Sequence, residues 1–142
     1  MFVLHEKLMA DTVAVGDLPL SRVLLMNDSQ YPWVILVPRR VDVTECYDLT
    51  EEDQQQLWTE SSGLSKLMMG MFAGHKLNVA ALGNVVPQLH LHHIVRYHHD
   101  VAWPKPIWGV SPTKAYPAVA LNARVSQLVD ELSRSNRAFK PL

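Results

Sequence analysis

The stretch that most constrains this chain is Gln88-Leu89-His90-Leu91-His92-His93-Ile94-Val95-Arg96. Read as a strand, its side chains alternate with a period of two, so Gln88, His90, His92 and Ile94 point one way while Leu89, Leu91 and His93 point the other. Such a segment needs a sheet with one apolar side to bury and a second side on which an amide and two imidazoles share a row. At a rise of ~3.3 Å per residue, successive groups in that row stand about 7 Å apart. This spacing suits contacts along a phosphate chain.

The 142 residues amount to one ordinary domain with a single core. We expect 1–142 to fold as one unit, with the motif-bearing core over about 12–110 and a C-terminal helix over about 117–135. Apolar residues make up 48%, charged residues 19%, and the formal charge is −1, which describes a globular chain without the basic excess of a non-specific nucleic-acid binder. The single cysteine, Cys46, permits no internal disulfide and fits a reducing compartment. No window holds the ~18–20 uninterrupted apolar residues of a membrane span. His5, Glu6, Lys7 and Asp11 break any signal-like apolar run at the N-terminus, so a cytoplasmic protein without a membrane partner is expected.

Along the chain, Leu4 and Leu8 predict a short helical turn within residues 1–11, and Thr12 to Gly16 alternates as a strand with Val13 and Val15 on one face. Arg22 to Met26 and Trp33 to Val37 are apolar runs of strand length separated by Asn27-Asp28-Ser29-Gln30, which predicts a hairpin closed by Pro38. Thr50-Glu51-Glu52-Asp53 is a helix start, with a capping hydroxyl and acids in the first turn. Leu57, Leu64, Met68 and Met71 follow at helical spacing, with Leu67 and Phe72 beside them and Gly74 as the expected stop. The methionines read as core packing. Leu77 to Leu82 is the next strand, Gly83-Asn84 a turn, and Gln88 to Tyr97 the central strand. A final helix from about Pro117 carries Leu121, Val125, Leu128 and Leu132. Strands, helix, strands and helix in that order predict an α+β domain with a mostly antiparallel sheet.

Gln88 to Ile94 resembles the histidine-triad (HIT) signature, His-φ-His-φ-His-φ-φ, with glutamine in the first histidine's place. Arg96 and the upstream Tyr31-Pro32-Trp33-Val34-Ile35-Leu36-Val37-Pro38-Arg39, similar to the strand these proteins place before their long helix, fix the registration. The resemblance covers roughly Asn27 to Arg96. It implies a sheet of about five strands, one long central helix, a C-terminal helix and a homodimer. It also implies a nucleotide hydrolase or transferase of the diadenosine-polyphosphate kind.

A histidine nucleophile suits nucleotidyl transfer, because neutral imidazole attacks phosphorus at pH 7 without a separate base and the product is readily hydrolysed. The resemblance puts this role on His90, whose other ring nitrogen must then be held by an acceptor, and puts phosphate binding on His92. Gln88 is the departure: an amide supplies no proton to a leaving group. A polyphosphate leaves as an anion without one, whereas an amine does not, so phosphoanhydrides are the expected substrates. Asn27 or the neighbouring Asp28 corresponds to the family's ribose-binding position. Asn84 resembles the amide that touches the α-phosphate, although Asn84-Val85-Val86-Pro87 is shorter and less glycine-rich than the usual phosphate loop. Both asparagines also read as ordinary turn residues.

Two other readings stand beside this one. In the alternative reading, Gln88 marks a weak or inactive member that only binds nucleotide. His90, His92, His93, His98, His99 and Asp100 are also numerous enough for a transition-metal site. Alternation, however, sends His93 away from its neighbours, so no protein-held metal is expected and any Mg²⁺ arrives on the substrate phosphates. His98 and His99 read as turn residues, one of which could donate the proton that Gln88 lacks. Trp103-Pro104-Lys105-Pro106-Ile107-Trp108 reads as a rigid segment that packs on its own domain, the alternatives being that it folds over the site or over a partner subunit.

Overall fold

The computed structural model covers Met1 to Leu142. The run Trp33–Pro38 forms strand β3, and all six residues are buried, which is what an unbroken apolar run in the middle of a sheet requires. Around it stand β1 (Thr12–Asp17), β2 (Ser21–Met26), β4 (Lys76–Ala80), β5 (Leu91–Arg96) and β6 (Lys140–Pro141), in the order β4-β5-β3-β2-β1-β6. Every pairing is antiparallel. The predicted α+β class holds, with a sixth strand that two residues without an apolar pattern do not announce.

β6 closes on β1 at a glycine for a steric reason. A Cβ on Gly16 would lie 2.6 Å from the Lys140 carbonyl oxygen and 2.5 Å from the Phe139 ring, so no larger residue admits β6 there. β1 also slips register between Ala14 and Gly16, a bulge that turns Val15 into the core.

Two helices cover one face. α2 (Glu51–Phe72) starts where Thr50 accepts a hydrogen bond from the Asp53 N–H, and buries Leu57, Leu64 and Met68. α3 (Ala118–Ser135) buries Leu128 and Leu132. Leu64, Met68, Leu128 and Leu132 meet Val15, Val23, Leu25, Val34, Leu36 and Val95 in one apolar cluster, with Leu67, Met69 and Met71 packed at its edge, as core packing of the methionines predicts, while Leu57 packs with Leu20, Leu49, Leu89 and Leu91. α2 does not stop on Gly74. Ala73 takes the left-handed cap (φ 48°), and Gly74 is small because a Cβ there would strike Val95 on β5 and the Met69 sulfur.

The opposite face has no long helix. Leu24, Trp33, Ile35, Val37 and Ile94 are covered by the short helix α1 (Glu6–Asp11) through Leu8, and by loop residues Val86, Ala102 and Ile107. No helix is long and apolar enough to cross a membrane.

Candidate active site

The site opens on the loop-covered face. β5 begins at Leu91, not Gln88, because ladder pairing with β3 starts at Leu36↔Leu91 and with β4 at Ala80↔His92; residues 88–90 have no strand partner. The alternation still carries His90 and His92 to the same side, with ring centroids 4.8 Å apart. They line a cleft of about 540 Å³ together with Asn27, Trp33, Asn84 and Trp108.

Each ring is held by one nitrogen, and the partners differ in kind. His90 Nδ1 lies 2.7 Å from the Gln88 carbonyl oxygen. A carbonyl only accepts, so Nδ1 carries the proton and Nε2 of the neutral ring keeps its lone pair. The acceptor demanded by a histidine nucleophile is therefore main chain. His92 Nδ1 accepts from the Trp33 indole N–H at 3.0 Å. An indole N–H only donates, so the proton of His92 sits on Nε2. Burial, and then the charges of His90 and His93, push the His92 pKa down to about 3, so at pH 7 it offers a neutral N–H donor. One ring presents a lone pair and its neighbour a hydrogen.

His93 leaves the site, as alternation predicts. Its Nε2 lies 2.8 Å from Ser61 Oγ on α2, and burial lowers its pKa to about 4. No three His, Cys, Asp or Glu side chains converge as metal ligands.

Asn27 and Asn84 both line the cleft. Asn27 Oδ1 accepts from the Tyr116 N–H at 2.9 Å, which leaves its NH₂ free to donate. Asn84 is exposed and follows Gly83, whose φ of 72° makes the turn. Three expectations are corrected. Asp28 is buried and accepts from the Gln30 backbone N–H at 3.0 Å and from its side-chain amide, so it shapes the β2–β3 turn and does not reach the cleft. The Gln88 side chain also turns away, to the backbone of Val3 and His5. His98 and His99 form the turn predicted for them beyond the far end of β5, against His75 and Trp103 and against Tyr97 respectively; neither lines the cleft, so it is the alternative, a proton donor among them, that is corrected.

The tryptophan segment does both things expected of it. Trp103 packs over Arg96, while Trp108 stands edge-on to Trp33 and His92 at the cleft. The contributions of Trp33 and α1 escaped sequence reasoning. Alternation along β3 was the available signal for Trp33, since Trp33, Ile35 and Val37 share one face.

A family model described as the HIT domain matches residues 7–99. Among solved structures, a histidine triad protein from Marinobacter aquaeolei is 53% identical, with 95% of this chain and 98% of that chain covered and a TM-score of 0.92. One from Bradyrhizobium japonicum is 47% identical over 94% and 97%, with a TM-score of 0.87. A histidine triad (HIT) protein from Sinorhizobium meliloti is 36% identical over 93% and 98%, with a TM-score of 0.90. Among curated proteins, none matches significantly. On these grounds the chain belongs to the histidine triad family, whose members are generally nucleotide-binding hydrolases or transferases.

Proposed function

We propose that this protein hydrolyses a nucleoside phosphoanhydride, of the dinucleoside-polyphosphate class, through a nucleotidyl-histidine on His90. The observation that carries the reading is the pair of opposite tautomers at one cleft. The His90 Nε2 lone pair attacks the α-phosphorus while the bond from phosphorus to the bridging oxygen breaks, and the remaining phosphates leave as an anion. The positive charge on the ring is stabilised at Nδ1–H by the Gln88 carbonyl. The His92 Nε2–H donates to a non-bridging oxygen, with Asn84 beside it, and Asn27 offers its NH₂ to ribose. Water then attacks phosphorus, the P–N bond breaks, one proton passes to solvent, and a nucleoside monophosphate leaves.

The amide of Gln88 is spent on backbone groups outside the cleft, so no donor stands at that position to protonate a basic leaving group. Anhydrides are accordingly preferred over phosphoramidates, and Mg²⁺ enters only on the substrate phosphates. β4 ends the sheet with its outer edge unpaired in the single chain, which supports a homodimer formed along it; sedimentation would test that.

The test is hydrolysis of diadenosine tetraphosphate by wild type and His90→Ala, with intact mass measured on the quenched wild-type reaction. Turnover in the wild type, a loss on the order of 10³-fold or more in the variant and an adduct with the added mass of AMP minus water are expected. AMP binding without turnover or adduct in either protein would replace the hydrolase with a binding module. Faster cleavage of an adenosine phosphoramidate than of the anhydride would overturn the substrate preference.

A further inference from the structure

We propose that Gln88 is a positioning residue that latches the N-terminal segment, and with it helix α1, as the substrate-binding wall of the cleft. The inference rests on the nucleotide reading above and deepens it. The Gln88 amide donates from Nε2 to the Val3 carbonyl and accepts at Oε1 from the His5 N–H, both at 2.9 Å. These bonds join residues more than eighty positions apart, immediately before α1. A helix of six residues has no stability of its own in water, so tertiary anchors decide where it lies. Phe2, Leu4 and Leu8 supply apolar anchors on the sheet; Gln88 supplies the polar one.

What α1 brings to the cleft is Lys7, Leu8, Ala10 and Asp11, which line it together with Asn84 and Val85. Leu8 and Ala10 offer an apolar surface, and the Lys7–Asp11 pair at 3.0 Å stands at its rim. Residue 88 thus serves the site twice by separate atoms. Its main-chain carbonyl holds the His90 ring, and its side chain holds the wall. An amide offers a donor and an acceptor at one tip; a carboxylate would set an oxygen against the Val3 carbonyl.

Every substitution at residue 88 keeps the carbonyl that holds His90, so the wall and the chemistry separate in kinetics. Gln88→Ala and Gln88→Glu are expected to speed amide exchange over residues 3–11, weaken AMP binding and raise KM for diadenosine tetraphosphate about tenfold, with kcat within about twofold. A chain lacking residues 1–5 is expected to show the same KM defect, and Gln88→Ala added to it no further one. A kcat loss from Gln88→Ala that persists in the shortened chain would overturn the proposal in favour of action at the reacting atoms. Unchanged exchange or unchanged KM in Gln88→Ala would overturn it as well. The half-buried position of Gln88 keeps the variants folded, which a thermal unfolding midpoint near that of the wild type checks. The exchange arm needs no substrate. Absence of AMP binding in the wild type would sink the nucleotide reading while exchange still decided the latch.

Discussion

His92 and His93 are neighbours on one strand, yet His92 faces a layer of loops and His93 a layer of helices. On the helix face, α2 and α3 satisfy their own backbone hydrogen bonds, so the layer closes by apolar interdigitation around Leu64, Met68, Leu128 and Leu132. Buried polar contacts there tie α2 to the sheet at two of its residues. Ser61 meets His93, and buried Glu60 accepts from the Leu20 and Ser21 N–H groups. On the other face, loops bring main-chain groups with no ladder to join, and side chains complete them. Asp100 accepts from the N–H groups of Tyr97, Ala102 and Trp103 while it pairs with Arg96, Asn27 takes the Tyr116 N–H, and Gln88 takes His5 and Val3. A loop-covered face therefore needs polar residues for its architecture and leaves clefts between them. The chemistry of this chain sits where the fold already demands such residues.

That contrast can be broken most forcefully at Asp100. Arg96 is 1% exposed and lies within 6 Å of the Tyr31 and Trp103 rings. Removing its partner leaves a buried charge held only by the Asn78 side-chain carbonyl and orphans the Tyr97 and Ala102 N–H groups, while the Trp103 N–H keeps the main-chain carbonyl of residue 100. Asp100→Ala is expected to lose about 3–5 kcal/mol in urea unfolding. A loss below about 1 kcal/mol would show that the loop face does not depend on its polar ties.

Acid should act on both faces at once. The folded-state pKa values of His92 and His93, about 3 and about 4, lie below the ordinary 6.5, so the unfolded chain binds more protons between roughly pH 6.5 and 4. Their stabilisation is complete above about pH 6.5 and is lost as pH falls through that window. Each ring contributes up to about 1.4 kcal/mol per pH unit. Urea unfolding at pH 7, 5.5 and 4.5 measures the slope, and His93→Asn should flatten it while turnover at pH 7 persists.

Trp33→Phe separates positioning from packing on the loop face. It keeps an aromatic ring and removes the N–H that holds His92 Nδ1. We expect kcat to fall about tenfold, about 1 kcal/mol of stability to be lost, and ¹⁵N spectra of His92 to depart from a single Nε2–H tautomer. The smallest effect belongs to the helix face. Ser61→Ala removes the partner of His93 Nε2 and should cost about 1 kcal/mol with turnover unchanged. A change in kcat there would mean that the two faces are coupled through β5.

Much of the scaffold was legible because local rules decide it. Thr50 caps α2 and Pro117 opens α3, each by backbone chemistry that needs no distant partner. The roles of Gln88 and Gly74 were not legible, because each depends on what a remote segment places beside it. A glutamine before a strand reads as part of that strand until the neighbouring strands are seen to end short of it. Asp28 reads as a ligand for ribose until the turn folds it onto Gln30.

By itself, the sequence determined the α+β class, the face shared by His90 and His92, and the departure of His93, since a period of two is a property of any strand. The tertiary structure alone decided the protonation of the two rings and the fate of the Gln88 amide. The partners concerned, the Gln88 carbonyl, the Trp33 indole and the Val3 and His5 backbone, acquire their distances only when the chain closes on itself. Hydrogen bonds depend on geometry over tenths of an ångström, and residue order does not encode that directly.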